Sequence, residues 1–309
     1  MTLSFIMPAW KARFLREAVA SIVAQTSPDW ELVVVDDCSP EPLREIVESF
    51  GDPRIRYERN ERNLGGENLV RQWNHCISFA QGDFIVLAAD DDVYKPTFCE
   101  TCLHLAEKYP QVDLIHASVE QIDAEGEVIG GDNILPEFTN KYAYLNWWVT
   151  GRVFTCVGNF AFRRTALLEM GGFIDSPCGF SSDIETPIVL SRNGVANTQK
   201  MLFCFRISDQ HLSSDKSRYK EKLEAISQRT EWLEAIGYEE PEDPVDKELY
   251  HSVINHDYLH TKVVYEYFNL VLKLLPAWEL PAYLKLCRLA TPKDKAMMCL
   301  RWIKHKMLK

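Results

Sequence analysis

The stretch "FIVLAADDDVYKP", residues 84–96, decides how this chain is read. Phe84 to Ala89 form a run of apolar or small side chains that ends in three consecutive carboxylates, Asp90, Asp91 and Asp92. A short apolar run bounded by polar residues fits a strand buried on both faces. Adjacent carboxylates at the mouth of such a strand raise one another's pKa unless a cation or hydrogen-bond donors hold them. The cluster therefore predicts an ion or ligand site at the end of a buried strand. Taken singly, a solvated acidic turn is the alternative.

The same grammar extends outward. "LSFIM" (3–7) and "ELVVVDD" (31–37) predict two more buried strands, and "RIRYERN" (54–60) an alternating one. "RFLREAVASIVAQ" (13–25), "PLREIVESF" (42–50) and "ENLVRQWNHCISFAQ" (67–81) have helical periodicity. Buried strands alternating with amphipathic helices predict a parallel sheet covered on both faces. Ligands in such sheets sit beyond the carboxyl ends of the strands. Three strands deliver chemistry there: Pro8-Ala9-Trp10, Asp36-Asp37 and Asp90-Asp91-Asp92. The second half is less regular. It predicts strands at 112–123, 157–163 and 199–206, a hairpin at Ala124-Glu125-Gly126 and a helix over 183–193. Beyond about 215 the pattern is helical, broken at "GYEEPEDP" (237–244).

A chain of 309 residues with 46% hydrophobic and 26% charged residues has the composition of a folded globular protein. The net charge of −11 disfavours nucleic acid as a partner. The charge is unevenly spread. Residues 280–309 hold six Lys and two Arg against Asp294, a net +7 that leaves −18 on the remainder. With Leu280, Tyr283, Leu284, Cys287, Met297, Met298, Leu300, Trp302 and Ile303, this segment suits either an anionic membrane surface or a helix packed on the body with its lysines in water. Nine cysteines without regular spacing make no disulfide framework, and Cys99/Cys102 read as buried thiols in a helix rather than zinc ligands. "LSFIMP" reads as a strand rather than a signal peptide, and no apolar run approaches the ~18 residues of a membrane span. The expected location is the cytoplasm, with peripheral contact at the inner face of the membrane as a further option.

The first strand ends in "MPAWKARF", with none of the glycines a dinucleotide fold places there, and no GxxxxGK[ST] loop exists. "NLGGEN" (63–68) offers either backbone amides to an anion or a helix cap. A nucleotide held without a phosphate loop remains. Trp10 could stack on a base, Asp36 accept the N3–H of uracil or thymine, Asp90 bind ribose, and Asp91 hold Mg²⁺ or Mn²⁺ beside a diphosphate. Trp10 as a core residue and Asp36-Asp37 as a turn cap are the alternatives.

Four stretches, "FIMPAWKARFLREAVASIVAQTSPDWELVVVDDCS", "RNLGGENLVRQWNHCISFAQGDFIVLAADDDVYKP", "GNFAFRRTALLEMGGF" and "SSDIETPIVLSRNG", carry a resemblance. Over roughly residues 3–210 the chain resembles the family 2 inverting glycosyltransferases of the GT-A fold. The resemblance implies an α/β, Rossmann-like GT-A domain over 1–214, with a nucleotide-sugar half (1–110) and an acceptor half (111–214). A helical region (215–309) would follow. It implies that Pro8 and Trp10 flank the base, Asp36 reads it, Asp90 meets the ribose and Asp91 ligates the metal. Asp92 is a further candidate ligand, and Asn63 a candidate donor contact. "FRISDQHLSSDKSR" (205–218) resembles the family's late loop, which brings Arg206 and His211 to phosphate or metal.

Two departures stand out. Ala89 occupies a position where the family often has Asp, so Asp90/Asp92 is the other candidate pair. The family's Glu-Asp pair is represented by Ser182-Asp183, the Asp lying eleven residues before Gly194. Asp183 is the expected catalytic base and Glu185 its reserve. "KYAYLNWWVTGRVF" (141–154), with Trp147, Trp148 and Arg152, is either a sugar-stacking acceptor wall or a buried amphipathic helix. The expected activity is metal-dependent transfer from a nucleotide-diphosphate sugar, a UDP-sugar first, to a glycan or lipid-linked acceptor in bacterial-type surface glycan assembly. The alternatives are a sugar-1-phosphate nucleotidyltransferase and a non-catalytic nucleotide- or glycan-binding protein.

Overall fold

Leu3–Ala9 forms the first strand, β1, in the computed structural model, which describes residues 1–209, 215–236, 239–254 and 256–308. There follow α1 (Leu15–Val23), β2 (Trp30–Asp36), α2 (Leu43–Glu48), β3 (Ile55–Arg59), α3 (Leu69–Ile77) and β4 (Phe84–Leu87). Next come β5 (Val93–Tyr94), α4 (Phe98–Lys108), β6 (Leu114–Ile122), β7 (Val128–Gly131), β8 (Phe138–Thr139) and α5 (Lys141–Val149). The sheet region closes with β9 (Phe160–Arg163), α6 (Arg164–Glu169), α7 (Ser182–Leu190) and β10 (Val195–Arg206). After it come α8 (Tyr219–Ala235), α9 (Pro244–Ile254), α10 (His256–Glu266), α11 (Leu280–Leu286) and α12 (Pro292–Met307).

The described strands form one sheet in the order β3-β2-β1-β4-β9-β6-β10-β5, with β7 on β6 and β8 on β10. The block β3-β2-β1-β4 is parallel throughout. Strand β9 runs antiparallel to both β4 and β6, so β6 and β10 regain the direction of the first block. The expected parallel α/β architecture is present, interrupted by β9 and fringed by short antiparallel strands.

Side-chain alternation divides the packing. Leu3, Phe5 and Met7 join Leu32, Val34, Phe84 and Val86 in one core with residues of α1, α2 and α4. Ile6, Val33, Val35, Ile85 and Leu87 are equally buried and point the other way, where α3 packs on β1 and β4 with Val70, Trp73 and Ile77. Cys99 and Cys102 lie buried on α4, and burial pushes the Cys99 thiol up to about 12. They are inert core thiols.

The structure departs from the sequence reading at β4, which ends at Leu87 rather than at Ala89. The chain leaves the sheet there and returns as β5, two residues paired antiparallel with Phe203 and Cys204 of β10. A two-residue strand carries no periodicity, so no pattern announces it. The segment 157–163 likewise divides into a 3₁₀ turn and β9, while β10 begins at Val195, earlier than expected.

A second compact unit comprises Leu145–Gly151, Ser176–Ser181 and the helices from α8 onward. Its core joins Leu223, Ile226, Val263, Tyr267, Val271 and Met298. Within it Trp148 is buried, with the Arg229 guanidinium and the Lys262 ammonium over its ring. For this tryptophan the buried-helix alternative holds, not an open sugar-stacking wall. No described helix is long and apolar enough to cross a membrane.

Candidate active site

Register brings the strand ends together. Ala9 of β1 pairs with Asp36 of β2, and Ile6 pairs with Leu87 of β4. The carboxyl ends of the three strands therefore open on one sheet edge, where β1 lies between β2 and β4. Beyond that edge, Asp90 Oδ2 accepts the backbone amides of Trp10 (2.8 Å) and Lys11 (2.9 Å). The Trp10 carbonyl accepts the Ser39 hydroxyl at 2.6 Å, and the Ser39 amide donates to Asp36 Oδ1 at 2.7 Å. A continuous chain of hydrogen bonds thus ties the acidic loop to the end of β2 through Trp10. Trp10 is 37% exposed, so it is no core residue.

Asp36 is fully buried and held by the Tyr57 hydroxyl, the Arg59 guanidinium and the Ser39 amide. Burial, with the Asp36 carboxylate as a further cause, pushes the Tyr57 phenol up to about 12. The sequence reading placed Asp36 alone before a base, whereas the structure makes it the centre of a charged cluster. Arg59 was missed, although it sits opposite Asp36 in the β2–β3 register. A parallel alignment of "ELVVVDD" on "RIRYERN" would have found it.

Asp37 has a different role. Its carboxylate accepts from Asn60 Nδ2 and from the amides of Leu64 (2.9 Å) and Gly65 (2.7 Å), and Asn63 Oδ1 accepts from Gly66 N. The amides that "NLGGEN" could have offered to an anion are already occupied. Asn68 caps α3 by accepting from Arg71 N. Here the cap reading holds, and Asn63 shapes the loop.

The three aspartates of the acidic loop diverge. Burial raises the Asp90 carboxyl above its ordinary range. Burial, and then the neighbouring Asp90 charge, pushes Asp91 up to about 6. Asp92 is buried, raised by burial and by Asp91, and its Oδ1 accepts the Arg206 amide at 2.9 Å. Asp92 is thus drawn into the body while Asp91 stays partly exposed at the edge. Among the described residues no three His, Cys, Asp or Glu side chains converge on one metal position.

Arg206, expected to meet phosphate, is only 1% exposed. Its Nε donates to the Asp91 carbonyl, Nη1 to the carbonyls of Asp123 and Ala124, and Nη2 pairs with Glu17 at 2.7 Å. The Phe14 ring lies against the guanidinium. Arg206 is a strut beneath the acidic loop, because its fixed fork of donors matches carbonyls left open where the chain leaves the sheet. Arg206→Met is expected to cost about 3–5 kcal/mol in a urea titration, since those acceptors and Glu17 lose their donor together. A loss below about 1 kcal/mol would remove the strut role. His211 lies outside the described residues.

Asp183 and Glu185 stand in the first turn of α7, where the helix dipole favours carboxylates. Residues two apart on a helix face apart. Asp183 is partly exposed and Glu185 buried. Ser182 Oγ donates to the Ile174 carbonyl at 2.6 Å, and Thr186 Oγ1 accepts the Ile174 amide, so the helix start is latched in place. The buried Cys156 thiol is pushed up by burial and further by Asp92 and Asp183.

Residues 4–171, more than half the chain, match the family described as Glycosyl transferase family 2. The chain belongs to that family. Escherichia coli WcaA, a putative colanic acid biosynthesis glycosyl transferase, is 31% identical over 166 residues, 51% of this chain and 58% of that protein. The putative glycosyltransferase EpsE of Bacillus subtilis is 30% identical over 127 residues, 40% of this chain and 44% of its own. The chain spans about half the length of these curated relatives. Among solved structures, S. aureus TarS in complex with UDP-GlcNAc superposes with a TM-score of 0.67 at 15% identity, over 93% of this chain and 79% of that one. The Pyrobaculum calidifontis mannosyltransferase PcManGT, in complex with GDP-Man and Mn²⁺, gives 0.55 at 16% identity, over 96% and 78%. At these identities the likeness shows the fold, and the expected GT-A architecture of this family 2 chain stands.

Proposed function

We propose that this chain is a metal-dependent inverting glycosyltransferase that moves a sugar from a nucleotide-diphosphate donor, a UDP-sugar first, to a hydroxyl of a glycan or lipid-linked glycan. The observation that carries the proposal is the bonded path Asp90–Trp10–Ser39–Asp36, which gathers an exposed aromatic residue and the acidic loop on one sheet edge of a family 2 chain. Residues 1–110 would form the donor half, 111–214 the acceptor half, and 215–309 a helical region that adds acceptor or surface contacts. The relative named for colanic acid biosynthesis supports a growing surface polysaccharide as acceptor. Family membership disfavours a nucleotidyltransferase.

The residues fit a hard divalent cation in one way. Mg²⁺ and Mn²⁺ sites at diphosphates take one or two protein carboxylates and complete their shell from substrate phosphate and water. A partly exposed Asp91, crowded by like charge, suits that role, whereas buried Asp92 holds the loop. When bound, Mn²⁺ or Mg²⁺ neutralises charge on the departing diphosphate. Trp10 and Pro8 flank the base. Asp36, steadied by Tyr57 and Arg59, reads its N3–H with a remaining lone pair. Asp90 orients the ribose, and Asp183 takes the proton from the attacking hydroxyl.

The test is thermal stabilisation by UDP, TDP, GDP and CDP, with and without Mn²⁺. UDP and TDP with Mn²⁺ are expected to raise Tm by about 5–10 °C, from ~2.7 kcal/mol at a hundred-fold excess over Kd. The cation's share is expected to shrink between pH 7 and pH 5. Without a cation, a carboxyl raised to about 6 favours folding while protonated, and that stability is lost as pH rises through about 6. A bound cation removes this loss, so its benefit appears at the higher pH. Equal shifts for all four nucleotides would refute base reading, and no Mn²⁺ effect at pH 7 would refute the metal.

A further inference from the structure

Helix α12 is apolar on two faces. Its inner face is satisfied: Met298 is buried, Cys299 and Trp302 pack on the core of the second unit, and Trp302 Nε1 donates to the Leu275 carbonyl. The outer face is not. At 3.6 residues per turn, Leu300 and Met307 lie nearly opposite Met298, with Ile303 on one flank and Met297 on the other. Leu300 is 60% exposed and Met307 81%, and Met297 and Ile303 are exposed as well. Lys293 and Lys304 project from the same outer face, with Arg301 at its border, all exposed. The helix begins with a capping box, Thr291 and Asp294 bonding reciprocally, so its first turn is well formed.

Solvated helix faces carry charge, and apolar side chains set among lysines cost free energy in water unless something covers them. The charge distribution says what. Residues 280–309 carry +7 and the remainder of the chain −18. An anionic bilayer attracts the basic segment, more weakly as salt rises. We infer that the outer face of α12 docks on the surface of an anionic phospholipid bilayer. Leu300, Ile303 and Met307 enter the headgroup boundary while Lys293, Lys304 and Arg301 meet lipid phosphate. The helix lies on the membrane and does not span it.

The docking does not depend on the transfer chemistry. The test is co-sedimentation of the full chain with vesicles of phosphatidylcholine alone or mixed with phosphatidylglycerol. Binding is expected only to the mixed vesicles, and is expected to weaken as salt rises. Lys293→Gln with Lys304→Gln should weaken it about 25-fold, at about five-fold per charge. Leu300→Ser with Ile303→Ser should weaken it about ten-fold or more. Both pairs should keep the parent's melting temperature and donor hydrolysis. Should the serine pair fail to fold, the glutamine pair alone decides. Equal binding to both vesicle types, no binding to either, or a glutamine pair that binds as the parent does would overturn the inference. A concentration-dependent dimer lost in the serine pair, without vesicle binding, would also overturn it and assign the face to a second copy of the chain.

Discussion

Asp91→Ala is expected to lower transfer about a thousand-fold, the equivalent of the several kcal/mol a metal supplies to a developing anionic charge. It should leave the protein as stable as the parent at pH 7 without Mn²⁺, or more stable. The two halves of that expectation have one cause. Asp91 is desolvated by burial and then crowded by Asp90, which pushes it up to about 6, so at pH 7 its ionised form is strained where it stands. Removing it relieves repulsion in the unliganded chain and removes the cation's carboxylate at the same time. Asp92→Ala should behave oppositely in stability, because its carboxylate accepts the Arg206 amide within the body. Steady-state transfer and a melting curve on each variant check this. An Asp91→Ala enzyme with full turnover would end the metal assignment.

Asp183→Asn is expected to lower kcat by about 10²–10⁴-fold, the range for loss of a general base. KM for the donor and the nucleotide-induced thermal shift should not change, since the residues proposed to hold the nucleotide stand at the ends of β1 and β2 and in the acidic loop and Asp183 on α7. Glu185→Gln should show the reverse pattern, with lower stability and a nearly intact rate, because Glu185 is buried. A rate lost only in the Glu185 variant would move the base. A full rate in both, together with nucleotide binding, would favour a chain that binds donors without turning them over.

Much of the strand-end cluster was legible in the sequence. Runs such as "FIMPA" and "ELVVVDD" declare buried parallel strands by composition, and the carboxylates following them fall at strand ends whatever the tertiary detail. That Trp10, Asp36 and Asp90 would meet followed from the alternation of elements, because parallel strands in one sheet share a carboxyl edge. The roles of single side chains were less legible. Arg206 read as a phosphate ligand because an exposed loop arginine has that chemistry, yet it is buried among backbone carbonyls. "NLGGEN" read as a possible anion cradle because its amides are numerous, yet Asp37 and Asn63 already occupy them.

By itself the sequence determined the α/β order, a parallel sheet over the first half, the helical region after it and the family; the strand order came from the structure. Each rests on local periodicity, on residue types repeated over many positions, or on motifs kept in order. Only the tertiary structure decided which partners each carboxylate meets. Asp36 meets Arg59 across a strand pair, Asp90 meets Trp10 from 80 residues away, and Asp92 meets Arg206 from 114. Partnership at such separations depends on strand register and on where the chain leaves the sheet. A one-residue shift there would reverse which side chains face the cleft.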